Sequence, residues 1–362
     1  MADKNELVLS NIRKELDRID KKENKVYFFV MDTKGVPSGS LAYIYHLAMF
    51  LKEEGYDVEM LHIEDEFVGV GDWLGEEFAS LKHTNVNGNE VGASPSDILF
   101  IPEIYAQVMN QTKNLPCKRV GIMQNFNYLV DQVPFAAQWG DFKVFDSIAD
   151  TPYQQDKLTG VFPYVKTRVV TPFVSKLFGK TDEPKKLIIN IVAKDQDDIK
   201  RVVKPFYWKY PSFKWVTFRD LRSMPQVKFS EALREGAVTV WIDEDASFGY
   251  APLEAMKSGS IVLAKIPDTE LPWQYDDKGE LTRSCVWFTD FDMLHKQLVS
   301  VIRSWITDKV PQVIYEEAGK TPQEYTEDRT RKEFLAAFND ILGKRRSEME
   351  ELMLQIKSKG NE

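Results

Sequence analysis

The chain has 362 residues, more than one hydrophobic core usually serves, so two domains are expected. Its composition, 43% hydrophobic and 28% charged, is that of a globular protein and not of a disordered one. A formal net charge of −9 argues against a protein that covers the phosphate backbone of DNA or RNA. The two cysteines stand in no motif, so a disulfide framework is not expected. The four histidines are scattered without metal-ligand spacing, and no metal site is expected. The first residues lack a signal-peptide core, and no apolar run approaches the ~20 residues that span a bilayer. The expectation is a cytoplasmic protein with at most peripheral membrane contact.

In chain order, residues 5–22 place Leu9, Ile12, Leu16 and Ile19 on one stripe, the spacing of a helix packed on the body of the protein. The run 26–31 (VYFFVM) is short, apolar and rich in β-formers, as a strand buried on both faces should be. A loop over 32–40 (DTKGVPSGS) follows, then a helix face at Leu41, Ile44, Tyr45, Ala48 and Leu51, with Gly55 at its C-cap. A strand over 58–63 completes a crossover unit, which implies a parallel sheet. The stretch 68–92 reads as an irregular excursion. Strands are predicted at 98–101, 119–123, 143–148 and 168–171, with helices near 105–113 and 152–158.

The pattern breaks at 175–184 (SKLFGKTDEP), the expected linker. The same rhythm then restarts. Strands are predicted at 187–192, 215–218, 238–242 and 261–264, and helices at 195–209, 226–235 and 252–258, so a second open parallel sheet is expected. From Asp290 onward the pattern is helical, with a long packing helix over 328–358. Its basic cluster at 344–346 is a weaker candidate for membrane-surface contact. The aromatic residues Phe206, Tyr207, Trp208, Tyr210, Phe213 and Trp215 suit core packing better than stacking on bases or sugars.

Two segments carry candidate chemistry. The loop 32–40 precedes a helix, and Gly35, Ser38 and Gly39 are candidates to contact an anionic donor, the glycines by letting backbone N–H groups approach it, although the loop matches neither the dinucleotide fingerprint nor the Walker loop. A turn capped by Ser38 or Ser40 is an equal reading. The segment 243–264 (DEDASFGYAPLEAMKSGSIVLA) ends a strand, turns at Ser247, Phe248 and Gly249, and runs into a helix through Glu254. Ligands in open α/β sheets bind at the carboxyl ends of strands. This turn would aim the amides of 247–250 at a phosphate or sugar, and Glu254 would accept hydrogen bonds from ribose hydroxyls. Glu103, just past the strand 98–101, is a further cleft-facing candidate, with a solvated loop acid as the favoured alternative.

The second segment resembles the signature of retaining glycosyltransferases of the GT-B type, whose E-x7-E motif is followed by a Gly-rich helix end. Ser247, Phe248, Gly249, Glu254, Ala255, Met256, Gly259 and Val262 fall in register with it, while Ala246 stands where the first glutamate belongs. The runs GVPSGSLAYIYHLAMFLKEEGYDV, RVVTPFVSKLF and IVAKDQDDIKR resemble other family segments, so the likeness covers about residues 25–305. The resemblance implies an α/β protein with two Rossmann-like domains, their parallel sheets facing across a cleft, plus a C-terminal helical segment. The expected bounds are 1–175 for an acceptor domain, 176–328 for a nucleotide-sugar domain and 329–362 for the packing helix.

The resemblance further implies a retaining, metal-independent transfer from a UDP- or GDP-sugar co-substrate, without another cofactor, to a glycan, a lipid-linked glycan or a small molecule. Lys194 with Lys200 or Arg201, and the Ser247–Tyr250 amides, would hold the diphosphate. Tyr250 completes that turn. Asp245 would substitute for the missing glutamate. Gln124 and Asn125 stand where the family often has a histidine, and they can bond a sugar without transferring a proton. Two alternatives stay open: a DNA-base glycosyltransferase of viral type, which the acidic charge opposes, and a catalytically degraded nucleotide-sugar binding protein.

Overall fold

A computed structural model of the chain describes residues 2–88 and 92–359. Two compact units emerge, Met1–Val170 with Arg331–Glu362, and Thr171–Thr330. Met1 and 360–362, at the outer ends of the expected segments, and 89–91 of the expected excursion lie outside the described residues.

The first unit opens with helix α1 (Ala2–Asp20), whose Ile12, Leu16 and Ile19 are buried along the expected stripe. Its strands are β1 (Lys25–Phe29), β2 (Asp57–His62), β3 (Lys82–Asn85), β4 (Ile98–Pro102), β5 (Lys118–Met123), β6 (Asp146–Ala149) and β7 (Lys166–Val169). All pair in parallel, in the order β3-β2-β1-β4-β5-β6-β7. Parallel neighbours need crossovers, and helices α2 (Gly39–Glu53), α3 (Ala106–Gln111), α4 (Phe126–Gln132) and α5 (Pro152–Val161) lie in them. The winding reverses between β1 and β4, which makes their carboxyl ends the switch point where such sheets bind ligands.

Side chains alternate across this sheet. Tyr27 and Phe29 join Leu99, Ile101, Met123 and Trp139 in one core cluster. Phe28 takes the opposite face and stacks on its register partner Phe100, with ring centroids 4.7 Å apart. That face is completed from the far end of the sequence by α11 (Glu327–Lys359): Phe334 and Phe338 lie 6.0 and 6.5 Å from Phe100, ring to ring. In β5, the Trp139 ring lies where a Cβ on Gly121 would stand, so only glycine admits that indole.

The second unit holds β8 (Lys186–Ala193), β9 (Thr217–Asp220), β10 (Gly236–Ile242), β11 (Ile261–Lys265) and β12 (Val286–Phe288), all parallel, in the order β12-β11-β10-β8-β9. Its helices are α6 (Gln196–Lys209), α7 (Gln226–Glu235), α8 (Tyr250–Lys257), α9 (Phe291–Ile306) and α10 (Gln312–Lys320). The sheet has a core on each face. Ile189, Ile191, Val238 and Val240 pack with Val202, Phe206, Leu294 and Leu298, whereas Trp241 and Val262 pack with Leu233, Leu253 and Met256. Lys185 closes the end of α7, its ammonium donating to the carbonyls of Leu233, Arg234 and Gly236 at 2.9–3.1 Å.

Three elements escape the sequence reading. β3 lies inside the expected irregular stretch; its sequence KHTN carries no apolar alternation, and it is held at the sheet edge by polar side chains, Thr84 and Lys82 both bonding Glu59. α4 buries only Leu129 and is started by its cap, Asn125, whose Oδ1 accepts the Asn127 N–H at 2.9 Å. β12 is three residues long. The strand expected at 143–148 begins only at Asp146, because Lys143 takes a left-handed φ of 57° in the preceding turn.

The basic cluster at 344–346 is consumed by ion pairs within the first unit. Lys344 lies 2.9 Å from the buried Asp146, Arg345 lies 3.2 Å from Glu348, and Arg346 bonds Asp20 and Glu350. It forms a strut for α11 and offers no free basic face. Among the described residues, no helix is long and apolar enough to cross a membrane.

Candidate functional site

In the second unit the winding reverses between β8 and β10. β8 ends at Ala193 and β10 at Ile242, register partners, so Lys194 and Asp243 emerge side by side at the switch point. Their ion pair measures 2.8 Å. The same Asp243 oxygen accepts the Asp245 N–H at 3.1 Å, which turns the chain away from the sheet. Glu244 pairs with Lys265 at the end of β11, and the Ala246 carbonyl accepts the Thr269 hydroxyl.

Ser247, Phe248 and Gly249 form the turn the sequence predicts. Phe248, expected among the donor-binding residues, has its ring in the core, 5.1 Å from Tyr325 and 4.7 Å from Tyr250. Its carbonyl accepts the Trp273 indole N–H at 2.7 Å, so this residue fixes the turn from beneath. Gly249 takes a left-handed conformation (φ 74°, ψ 60°) as the N-cap of α8. As N-cap, Gly249 has no side chain to cap the helix, which opens on backbone groups and the positive end of its dipole.

Glu254, one turn into α8, is buried, and its carboxyl accepts no hydrogen bond among the described residues. Burial pushes its carboxyl up to about 8, while Lys257 on the same helix pulls the other way. Lys200 and Arg201 are exposed on α6 and answer acids of that helix within a turn, Asp197 at 2.8 Å and Asp198 at 3.2 Å. Lys194 is therefore the only one of the three expected diphosphate ligands whose ion pair lies at the switch point.

In the first unit the loop after β1 has Gly35 at φ 78° and Ser38 as the N-cap of α2, its hydroxyl accepting the Leu41 N–H at 3.3 Å. Gly39 is the first residue of that helix. Asp32, which the sequence does not single out, ties this loop to the next by accepting the N–H groups of Lys34 and Val68 at 2.9 and 3.1 Å. Gln124 follows β5 and donates to the Ser40 carbonyl at 3.1 Å, joining the loops after β1 and β5.

Glu103 is not the solvated acid its loop position favours. Only 1% of it is exposed. It follows β4, beside the switch point, and its Oε1 accepts the Asn125 N–H at 2.8 Å, while its Oε2 has no partner among the described residues. Burial pushes the carboxyl up to about 8, and the charge of Asp150 adds to that rise. Asp150 itself, after β6 and buried, and Gln154, whose Nε2 is unpartnered among the described residues, are members of this cluster that sequence reasoning missed. No motif marks them; they join Glu103 only because β4, β5 and β6 are neighbours. Among the described residues, no three His, Cys, Asp or Glu side chains gather as a metal ion would need.

The fold is that of the GT-B glycosyltransferases: two Rossmann-like units, each built on a parallel sheet, with a helical C-terminal segment. The chain is similar to the pneumococcal O-GlcNAc transferase GtfA, solved with UDP and GlcNAc, at 8% identity and a TM-score of 0.59, over 88% of this chain and 99% of that one. It is similar to a variant of S. aureus TarM, solved with Fondaparinux, alpha-GlcNAc-glycerol and UDP, at 10% identity and a TM-score of 0.60, over 87% and 100%. It is also similar to the sucrose-phosphate synthase of Thermosynechococcus elongatus, at 12% identity and a TM-score of 0.55, over 92% and 99%. No protein-family model and no curated protein sequence matches the chain.

Proposed function

We propose that the chain is a glycosyltransferase that moves a sugar from a nucleoside-diphosphate donor to a hydroxyl-bearing acceptor. The observation that carries this reading is the convergence, at the switch point of the second unit, of Lys194, the turn at Ser247–Tyr250 and the glycine-started helix α8, with Glu254 behind them. A nucleoside diphosphate gains negative charge as it leaves. A fixed ammonium and oriented backbone amides stabilise that charge without a metal ion. Glu254, held protonated by burial, both donates and accepts, which suits the paired hydroxyls of a ribose.

Retention of anomeric configuration follows the motif resemblance through Gly249, Glu254 and Gly259. The ligands in the GtfA and TarM structures make a UDP-sugar the first donor to test. The first unit would take the acceptor, with Gln124 and Asn125 bonding sugar hydroxyls and Glu103 behind them. Calorimetric titration with UDP and GDP, followed by a donor-hydrolysis assay, tests the reading. A chain that binds no nucleoside diphosphate would refute it.

One observation favours a second reading, a nucleotide-sugar binding protein without turnover. Ala246 occupies the position of the first motif glutamate, and Asp245 has its backbone tied to Asp243. Tight nucleotide binding without hydrolysis or transfer, and turnover gained by Ala246→Glu, would select it.

A further inference from the structure

The aromatic cluster of the second unit divides in two. Phe206 and Phe213 lie in the core, and Tyr207 and Tyr210 pack against it. Trp208 and Trp215 do not: they are 75% and 59% exposed. On α6 the position of Trp208 is about 200° around the helix from Phe206, and so is that of Lys204, so both leave the face opposite the core. Lys204 and Trp208 are one turn apart on that face.

The second indole is held close by. Tyr207, next to Trp208, donates its hydroxyl to the carbonyl of Val216, next to Trp215, at 2.6 Å. The linking turn is closed by hydrogen bonds from the Phe213 N–H to Tyr210 and from the Val216 N–H to Phe213, each 2.9 Å. The two tryptophans therefore stand on one rigid corner, at the edge of the sheet formed by β9.

The charge around them has one sign left over. Lys200, Arg201 and Lys209 are each matched by an aspartate, namely Asp197, Asp198 and Asp292. Lys204 and Lys214 are exposed and, among the described residues, make no ion pair. Arg303 from α9 is likewise exposed, its guanidinium 5.9 Å from the Phe213 ring. In a chain of net charge −9, a corner with two bare indoles and three uncompensated cations is complementary to an anionic surface with an apolar layer beneath it. A glycan platform would want amides and carboxylates beside its tryptophans to bond hydroxyls; Pro211, Ser212 and lysines stand there instead.

We infer that the corner of the second unit formed by the end of α6 and the turn into β9 docks on an anionic lipid surface, Trp208 and Trp215 entering the interface while Lys204, Lys214 and Arg303 face the headgroups. The chemistry is that of interfacial binding: amphipathic indoles settle at the headgroup level, and each cation adds attraction to the negative leaflet. The inference is independent of the activity proposed above.

The test is co-sedimentation of the full chain with vesicles of phosphatidylcholine, alone or mixed with phosphatidylglycerol. Binding is expected to the mixed vesicles only, and to weaken as salt is raised. Lys204→Glu with Lys214→Glu should lower the affinity at least about thirtyfold. Trp208→Ser with Trp215→Ser should abolish quenching of the indole fluorescence by brominated lipid. Circular dichroism of each variant checks that it is folded. No pelleting with anionic vesicles, or pelleting that both double variants leave unchanged, overturns the inference. So does tryptophan-dependent binding of a soluble acidic polysaccharide without vesicle binding, which would assign the corner to a glycan.

Discussion

Replacing Glu103 by glutamine should stabilise the chain in a pH-dependent way. The side chain has about the same shape, and the new carbonyl still accepts the Asn125 N–H that Oε1 accepts at 2.8 Å. Burial raises the folded carboxyl from 4.5 to about 8, so between those values the folded state keeps a proton that the unfolded chain releases. A group of this kind gives its full stability below the unfolded value and loses it as pH rises toward the folded one. The slope is about 1.4 kcal/mol per pH unit, which accumulates to about 3 kcal/mol by neutral pH. The amide does not titrate and carries no such slope. Urea titrations of parent and Glu103→Gln from about pH 5 to about pH 8 isolate this single carboxyl, because every other titrating group is common to both. The variant should match the parent near pH 5 and gain on it steadily above that. A difference between them that is flat across the range would refute the reasoning, since it would mean that Glu103 ionises normally in the folded chain.

Gly249→Ala should cost about 1–2 kcal/mol, because φ is 74° and the added Cβ would stand 3.0 Å from the Trp273 ring; a thermal melt reads it as a lowered midpoint. Lys185→Met should cost about 1–2 kcal/mol, because the Arg234 carbonyl loses its donor while those of Leu233 and Gly236 keep the Ser260 hydroxyl, measured by the same denaturant titration. Lys194→Ala should weaken nucleoside-diphosphate binding about tenfold to a hundredfold in calorimetry, with the melting midpoint of the unliganded chain little changed, since the Lys194 side of its pair with Asp243 is largely exposed. Glu254→Leu should weaken binding of a nucleoside diphosphate much more than of inorganic diphosphate, because the carboxyl is assigned to the ribose.

The alternation of apolar runs with helix stripes was legible because both sheets are parallel and covered on both sides, which makes the buried runs of β8 and β10 apolar but for Asn190 and Thr239. The turn from Asp243 to Glu254 was legible as well, because glycine is needed where φ is positive and the acid follows at a fixed helical offset. The edge strand β3 was not: with one neighbour and little core to cover, its residues need only a ladder and polar partners. Burial of Glu103 was equally hidden, since it depends on strands far apart in the sequence packing side by side. The same holds for Asp292, which reaches Lys209 from α9, whereas Asp197 and Asp198, which occupy Lys200 and Arg201, are local.

The two units differ in how the gene delivers them. Thr171–Thr330 is one uninterrupted insertion, whereas the first unit is split, and its sheet waits for Phe334 and Phe338, both fully buried, to cover the face of Phe100. On the ribosome the earlier-begun unit therefore finishes last. Its aromatic face stays bare while the insertion is translated, and a truncation before residue 334 would leave a folded insertion attached to an unfinished, aggregation-prone sheet.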